Sequence, residues 1–156
     1  ALTKFGADIM PCMIQRACVG VGIGDEIVSY PVLPSICALI VKPDFNISSI
    51  DIYKKSVTSF KEPLEALKWD FATIDSFNKF ISDKENSLLE PILLFHPEIK
   101  NIISSIRDGN GCFYSNVSGS GSACFGLFES KQYALDAKQK LTKLFDKYKI
   151  YITKLK

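Results

Sequence analysis

Asn116-Val117-Ser118-Gly119-Ser120-Gly121-Ser122-Ala123-Cys124-Phe125-Gly126-Leu127-Phe128 sets a run of glycine, serine and alanine between two apolar stretches. A backbone that turns tightly, or that another group approaches closely, needs this composition. Serine hydroxyls and successive N–H groups in such a turn form a concavity suited to an anion. A plain Gly-Ser hairpin has the same composition, and the lysine of a Walker-type loop is absent, so the segment alone favours a structural turn.

Outward from the turn, Cys112 to Val117 and Ala123 to Phe128 read as two strands. A helix from Lys131 to about Lys147 and a last strand, Ile150 to Ile152, follow. Upstream, Leu88, Leu89, Ile92, Leu93 and Phe95 recur at helical spacing, as do Ile99, Ile102, Ile103 and Ile106, and Asp108-Gly109-Asn110-Gly111 ends the second helix. Ser35 to Val41 is a strongly apolar strand expected inside a sheet and ending at Lys42-Pro43. Ser48 is a candidate N-cap, after which Ile50, Tyr53 and Val57 mark one face of a helix. Residues Phe60 to Asp75 contain Pro63 and mixed periodicity, and read as short helical pieces. The order from Ser35 is β-α-β-β-α-β with extra helices inserted, which predicts an α+β fold with an antiparallel, ferredoxin-like sheet and helices packed on it.

Before Ser35 the reading changes. Ala1 to Phe5 looks like the end of a helix closed by Gly6, as though a preceding half belongs with it. Met13 to Val21 and Glu26 to Tyr30 are expected as two strands. Gly20, Gly22 and Gly24 punctuate their connection as a hairpin rather than a dinucleotide loop, because no helix follows them.

The 156 residues and 47% apolar content suit about one domain with a packed core. A net charge of +2, without a basic stripe, argues against nucleic acid as a partner. No apolar run approaches the roughly 20 residues that span a bilayer, so neither a membrane segment nor a signal peptide is expected. Cys12, Cys18, Cys37, Cys112 and Cys124 lie in apolar contexts without a C-x-x-C pair, and are expected as reduced core residues of a cytoplasmic protein with no metal site. His96, before Pro97, is expected to be solvated or to cap a helix at a corner.

One carboxylate stands out. Asp8 follows a Gly-Ala step, where small residues keep the backbone close to its neighbours and the carboxylate can reach into a cleft to accept a proton from a hydroxyl. An Asp that braces the turn fits the same residues.

Gly6-Ala7-Asp8-Ile9-Met10-Pro11-Cys12, Gly22-Ile23-Gly24-Asp25-Glu26, Val41-Lys42-Pro43 with Ser48-Ser49 and Tyr53, Asn86-Ser87-Leu88-Leu89-Glu90-Pro91, and Ser118-Gly119-Ser120-Gly121 with Cys124-Phe125-Gly126 occur in one order. Together they resemble the later part of the 4-diphosphocytidyl-2-C-methyl-D-erythritol kinase family, small-molecule kinases of the GHMP superfamily. Each motif is short and weak singly; in register they cover nearly the whole chain.

The resemblance implies two domains, with residues 1–30 the tail of the N-terminal, ATP-binding domain and residues 31–156 the C-terminal domain. It implies transfer of the ATP γ-phosphate to a hydroxyl of the cytidine-diphosphate-linked methylerythritol in non-mevalonate isoprenoid biosynthesis, with Asp8 orienting or deprotonating that hydroxyl. It places Tyr53 against the cytosine ring, Ser49 on the acceptor loop, and Ser118, Gly119, Ser120, Gly121 and Ser122 in support of the phosphate site. Tyr53 at helical spacing fits a core position as well. ATP and Mg²⁺ are expected mainly from the N-terminal half, which also carries a partner lysine and the ATP loop; neither is in this sequence. The chain alone is therefore expected to be inactive, with the missing domain as its intramolecular partner. The alternatives are another GHMP kinase, of homoserine or mevalonate type, and a non-catalytic ferredoxin-like binding module.

Overall fold

The computed structural model describes residues 9–22, 24, 26–56 and 71–155. In chain order the first half contributes α1 (Ile9–Ile14), β1 (Val19–Val21), β2 (Glu26–Ser29), β3 (Cys37–Lys42), α2 (Ser49–Ser56) and α3 (Ile74–Ile81). The second half contributes α4 (Leu89–Phe95), α5 (Glu98–Arg107), β4 (Cys112–Val117), β5 (Cys124–Phe128), α6 (Lys131–Leu144) and β6 (Lys149–Lys154).

The apolar run of β3 is continuous because the strand is buried on both faces. It pairs antiparallel with β5, Leu39 opposite Gly126, and with β6, Leu39 opposite Ile152. With β4 on the outer side of β5, the sheet order is β4-β5-β3-β6, the order of a ferredoxin-like layer. Alternation divides the core. Leu39, Val41, Cys124 and Phe128 meet Ile99, Ile102 and Ile106 of α5 and Ala134, Ala137 and Leu141 of α6. Ile36, Ala38 and Leu127 meet Phe71 and Phe77, the latter from α3, on the opposite side. The β4–β5 register shifts between Cys112 and Tyr114, and the irregularity lets successive residues Phe113 and Tyr114 both enter this second core.

Three expectations need correction. The strand expected over Met13 to Val21 is confined to Val19–Val21, and the preceding apolar residues form α1. A short apolar run without period-two alternation serves either element. Here Gln15, at φ 54°, breaks the helix before the strand begins. In α2 the helix is present, but its inward residue is Ile52, 1% exposed, whereas Ile50 and Tyr53 are 67% and 55% exposed. Tyr53 is thus not core. Cys12 is exposed rather than buried. Cys124 is buried, and desolvation pushes its thiol up to about 12; Cys112, partly buried against the core, is taken by burial to about 11, so both thiols stay protonated.

The hairpin of β1 and β2 is a separate two-stranded sheet, with Gly22 and Gly24 at positive φ in its turn. The helix end expected over residues 1–6, Asp8, Val57 and the pieces expected within residues 60–70 lie outside the described residues. Beyond them α3 is a full helix, opened by a capping box between Thr73 and Ser76. Among the described residues no helix is long and apolar enough to cross a membrane.

Candidate functional site

The Gly-Ser turn joins β4 to β5, and its own backbone closes it. Ser118 N–H donates to Ala123 O at 2.8 Å and Gly121 N–H to Ser118 O at 2.9 Å. Gly119 and Gly121 sit at φ 54° and 83°, which L side chains rarely adopt. At Gly121 space is also short, since a Cβ there would lie 2.9 Å from Ile47 Cδ1. The small residues are therefore required by the turn and by the loop packed against it.

Two other segments grip this turn. Asn86, just before α4, donates through Nδ2 to Val117 O at 3.1 Å and to Gly119 O at 2.7 Å, while its Oδ1 accepts from Leu88 N–H at 3.0 Å. The loop from Lys42 to Ser49 supplies the other side. Ser49 Oγ lies 2.7 Å from Ser120 Oγ. Ser122, 3% exposed, donates through Oγ to Phe45 O at 2.8 Å. Lys42 Nζ donates to Ser122 Oγ at 2.9 Å. Phe45 is itself held by the ring of His96, parallel to within 6° at a centroid distance of 5.2 Å. His96 also caps α4 through its backbone N–H to Ile92 O, and its Nδ1 is 3.0 Å from Glu98 Oε1. This is the corner role expected of it.

Ser49 and Tyr53 are one helical turn apart on α2 and share a side of that helix. The exposed phenol of Tyr53 therefore stands on the side of α2 whose Ser49 touches the turn. Beside the turn, a cleft of about 850 Å³ is lined by Gly20, Gly22, Asn86, Tyr114, Asn116 and Val117. Its buried polar side is fully paired, with Asn116 Nδ2 donating to Tyr114 Oη at 2.8 Å and Tyr114 Oη donating to Lys84 O at 2.8 Å. Sequence reasoning placed Lys42 and Asn86 in motifs without giving either a role. Each also reaches a partner far along the chain, Ser122 lying 80 residues from Lys42, and Val117 and Gly119 lying 31 and 33 residues from Asn86, beyond the reach of local pattern.

Chemically the turn offers N–H groups and serine hydroxyls to an anion. Among the described residues no group of three or more His, Cys, Asp or Glu is placed to hold a metal ion. No step is assigned to a metal ion at these residues.

The ferredoxin-like sheet with this glycine turn at one end is the architecture of a GHMP kinase C-terminal domain. Residues 67–147 match the family model described as GHMP kinases C terminal, and the chain belongs to that family. Among curated relatives, the chain is 31% identical over 130 residues to 4-diphosphocytidyl-2-C-methyl-D-erythritol kinase of Ruegeria pomeroyi, covering 83% of this chain and 46% of that protein. It is 31% identical over 131 residues to the protein of the same name from Wolbachia pipientis, covering 83% and 44%. The chain spans about half the length of the curated relatives it matches. A crystal structure of 4-(cytidine 5'-diphospho)-2C-methyl-D-erythritol kinase superposes with a TM-score of 0.76 at 24% identity, over 97% of this chain and 54% of that one. Homoserine kinase from Cytophaga hutchinsonii superposes at 0.65 and 15% identity, over 95% and 50%. These two likenesses speak to the fold alone.

Proposed function

We propose that this chain is the acceptor-side half of an ATP-dependent kinase that phosphorylates a hydroxyl of the cytidine-diphosphate-linked methylerythritol, in non-mevalonate isoprenoid synthesis in the cytoplasm. The observation that carries the reading is the 2.7 Å contact between Ser49 and Ser120, where the acceptor loop meets the phosphate turn. Phosphoryl transfer is mainly a matter of holding acceptor and donor in line, and this contact joins the loop proposed to hold the acceptor to the turn proposed to border the phosphates. Asp8 orients or deprotonates the acceptor hydroxyl, Tyr53 stacks on the cytosine and Ser49 binds the acceptor. Ser118 to Ser122 support the phosphate site.

ATP, with its Mg²⁺, is held mainly by an upstream domain completed by residues 1–30, and residues 31–156 form the acceptor-side domain. Met13, Val32 and Tyr30 are 64%, 63% and 45% exposed, apolar area that an upstream domain packed on this segment would cover. The exposed phenol of Tyr53, one helical turn from Ser49, favours a substrate with a flat ring over homoserine or mevalonate, which have none.

Tyr53→Ala in the protein carrying its upstream half is expected to raise the acceptor KM on the order of tenfold, since stacking a base on an aromatic ring contributes about 1–3 kcal/mol. The KM for ATP should stay within about twofold, and Tyr53→Phe should behave as wild type because the ring, not the hydroxyl, does the stacking. Steady-state kinetics with each substrate varied in turn decides it. An unchanged acceptor KM in Tyr53→Ala removes the stacking role.

A further inference from the structure

Lys42 stands at the end of β3 with its ammonium against the glycine turn, where a lysine would ordinarily be read as a phosphate ligand. Its surroundings argue otherwise. Nζ lies 3.1 Å from Pro43 O, 3.0 Å from Phe45 O, 3.3 Å from Asn46 Oδ1 and 2.9 Å from Ser122 Oγ. An ammonium has three N–H donors, so four acceptors already exhaust it and no proton is left for a phosphate oxygen. The four acceptors belong to two different segments. Pro43, Phe45 and Asn46 are in the acceptor loop, and Ser122 is in the phosphate turn. Ser122 completes the link from its own side by donating to Phe45 O at 2.8 Å, so Phe45 O receives from both. Its hydroxyl is thereby turned inward, away from any ligand on the surface of the turn.

From this geometry we infer that Lys42 is a positioning residue: with Ser122 and the Phe45 carbonyl it locks the acceptor loop to the phosphate turn, fixing the separation between the two halves of the site. The inference rests on the functional reading above for its kinetic consequence, but its structural consequence stands without it. Hydrogen bonds made by an ion are the strong ones, and this one joins positions 80 residues apart in the chain. A small slip between loop and turn would be felt in the rate, because misplacing reacting groups by about 1 Å can cost a hundredfold.

The test uses Lys42→Met, which keeps the length of the side chain and removes the donors, and Ser122→Ala, which removes only a hydroxyl, in the protein with its upstream half. By hydrogen exchange, the amides of Ser118 and Gly121 should exchange about tenfold faster in Lys42→Met, although they are distant from it in sequence. Exchange that changes only next to Lys42, or not at all, overturns the lock whatever the substrate proves to be. In kinetics each single variant should lower kcat/KM by about tenfold or more, and the double variant should be no worse than the poorer single one, since both break the same link. Fully additive losses, or a large effect of Lys42→Met on the ATP KM alone, would instead make Lys42 a phosphate ligand. Wild-type protein inactive on the cytidine-linked acceptor would count against the proposed function, leaving the exchange result to decide the lock.

Discussion

Asp8→Asn, in the protein carrying its upstream half, is expected to lower kcat about 10²- to 10⁴-fold, the usual contribution of a positioned acid or base. Asparagine has the size of aspartate and still offers an oxygen to a hydroxyl, but it cannot take the proton. The acceptor KM should move by no more than a few-fold, because Tyr53 and Ser49, not Asp8, are assigned to holding the nucleotide end. In the sequence Asp8 follows the small Gly6-Ala7 step and directly precedes the Ile9–Ile14 helix. Steady-state kinetics under saturating ATP measures the effect. A variant retaining more than about a tenth of wild-type kcat would remove Asp8 from proton transfer and leave it as a brace of the turn.

Gly126→Ala should have the largest effect on stability. Gly126 lies in β5, bonded between β3 and β4, opposite Leu39 on one side and Ser115 on the other. A Cβ added there would stand 2.3 Å from Ile106 Cγ2 and 3.1 Å from Phe128 Cε2. Ile106 is fully buried on α5, and a strand paired on both sides cannot retreat, so the overlap must be relieved by moving α5 off the sheet. The expected loss is about 3 kcal/mol, at the upper end for overpacking a core. It should appear as a lower denaturant midpoint with an unchanged slope. Ile106→Ala removes the obstructing methyl, so the double variant should be no less stable than Ile106→Ala alone. Stability unaffected by Gly126→Ala would mean that α5 does not pack on β5 as closely as described.

The same packing explains what could be read in advance. The strands around the turn, the helices over Leu89–Phe95 and Glu98–Arg107, and the ferredoxin-like order were legible because each has one strong periodicity bounded by a glycine, a proline or a cap. Met13 and Ile14 were misread because an apolar stretch too short to show a period is ambiguous until tertiary contacts decide it. In α2 the true inward residue, Ile52, is one apolar side chain among three. The helix is too short for its stripe to be separated from Ile50 and Tyr53 by pattern alone. Of the residues proposed for the site, the turn announced itself through its glycines, and Ser49 and Tyr53 through their motif. Lys42 did not, because the contact its function rests on, with Ser122, exists only once β3 and the β4–β5 turn are side by side.

The identity of the phosphoryl acceptor is the most direct point to settle. The protein carrying its upstream half should be given Mg²⁺ and ATP labelled in the γ-phosphate, together with the cytidine-diphosphate-linked methylerythritol, homoserine and mevalonate in competition, and the labelled product identified. Label on a hydroxyl of the methylerythritol moiety, lost in Asp8→Asn, is the expected result. Label on homoserine or mevalonate, or none on any acceptor while ATP still binds, would contradict it.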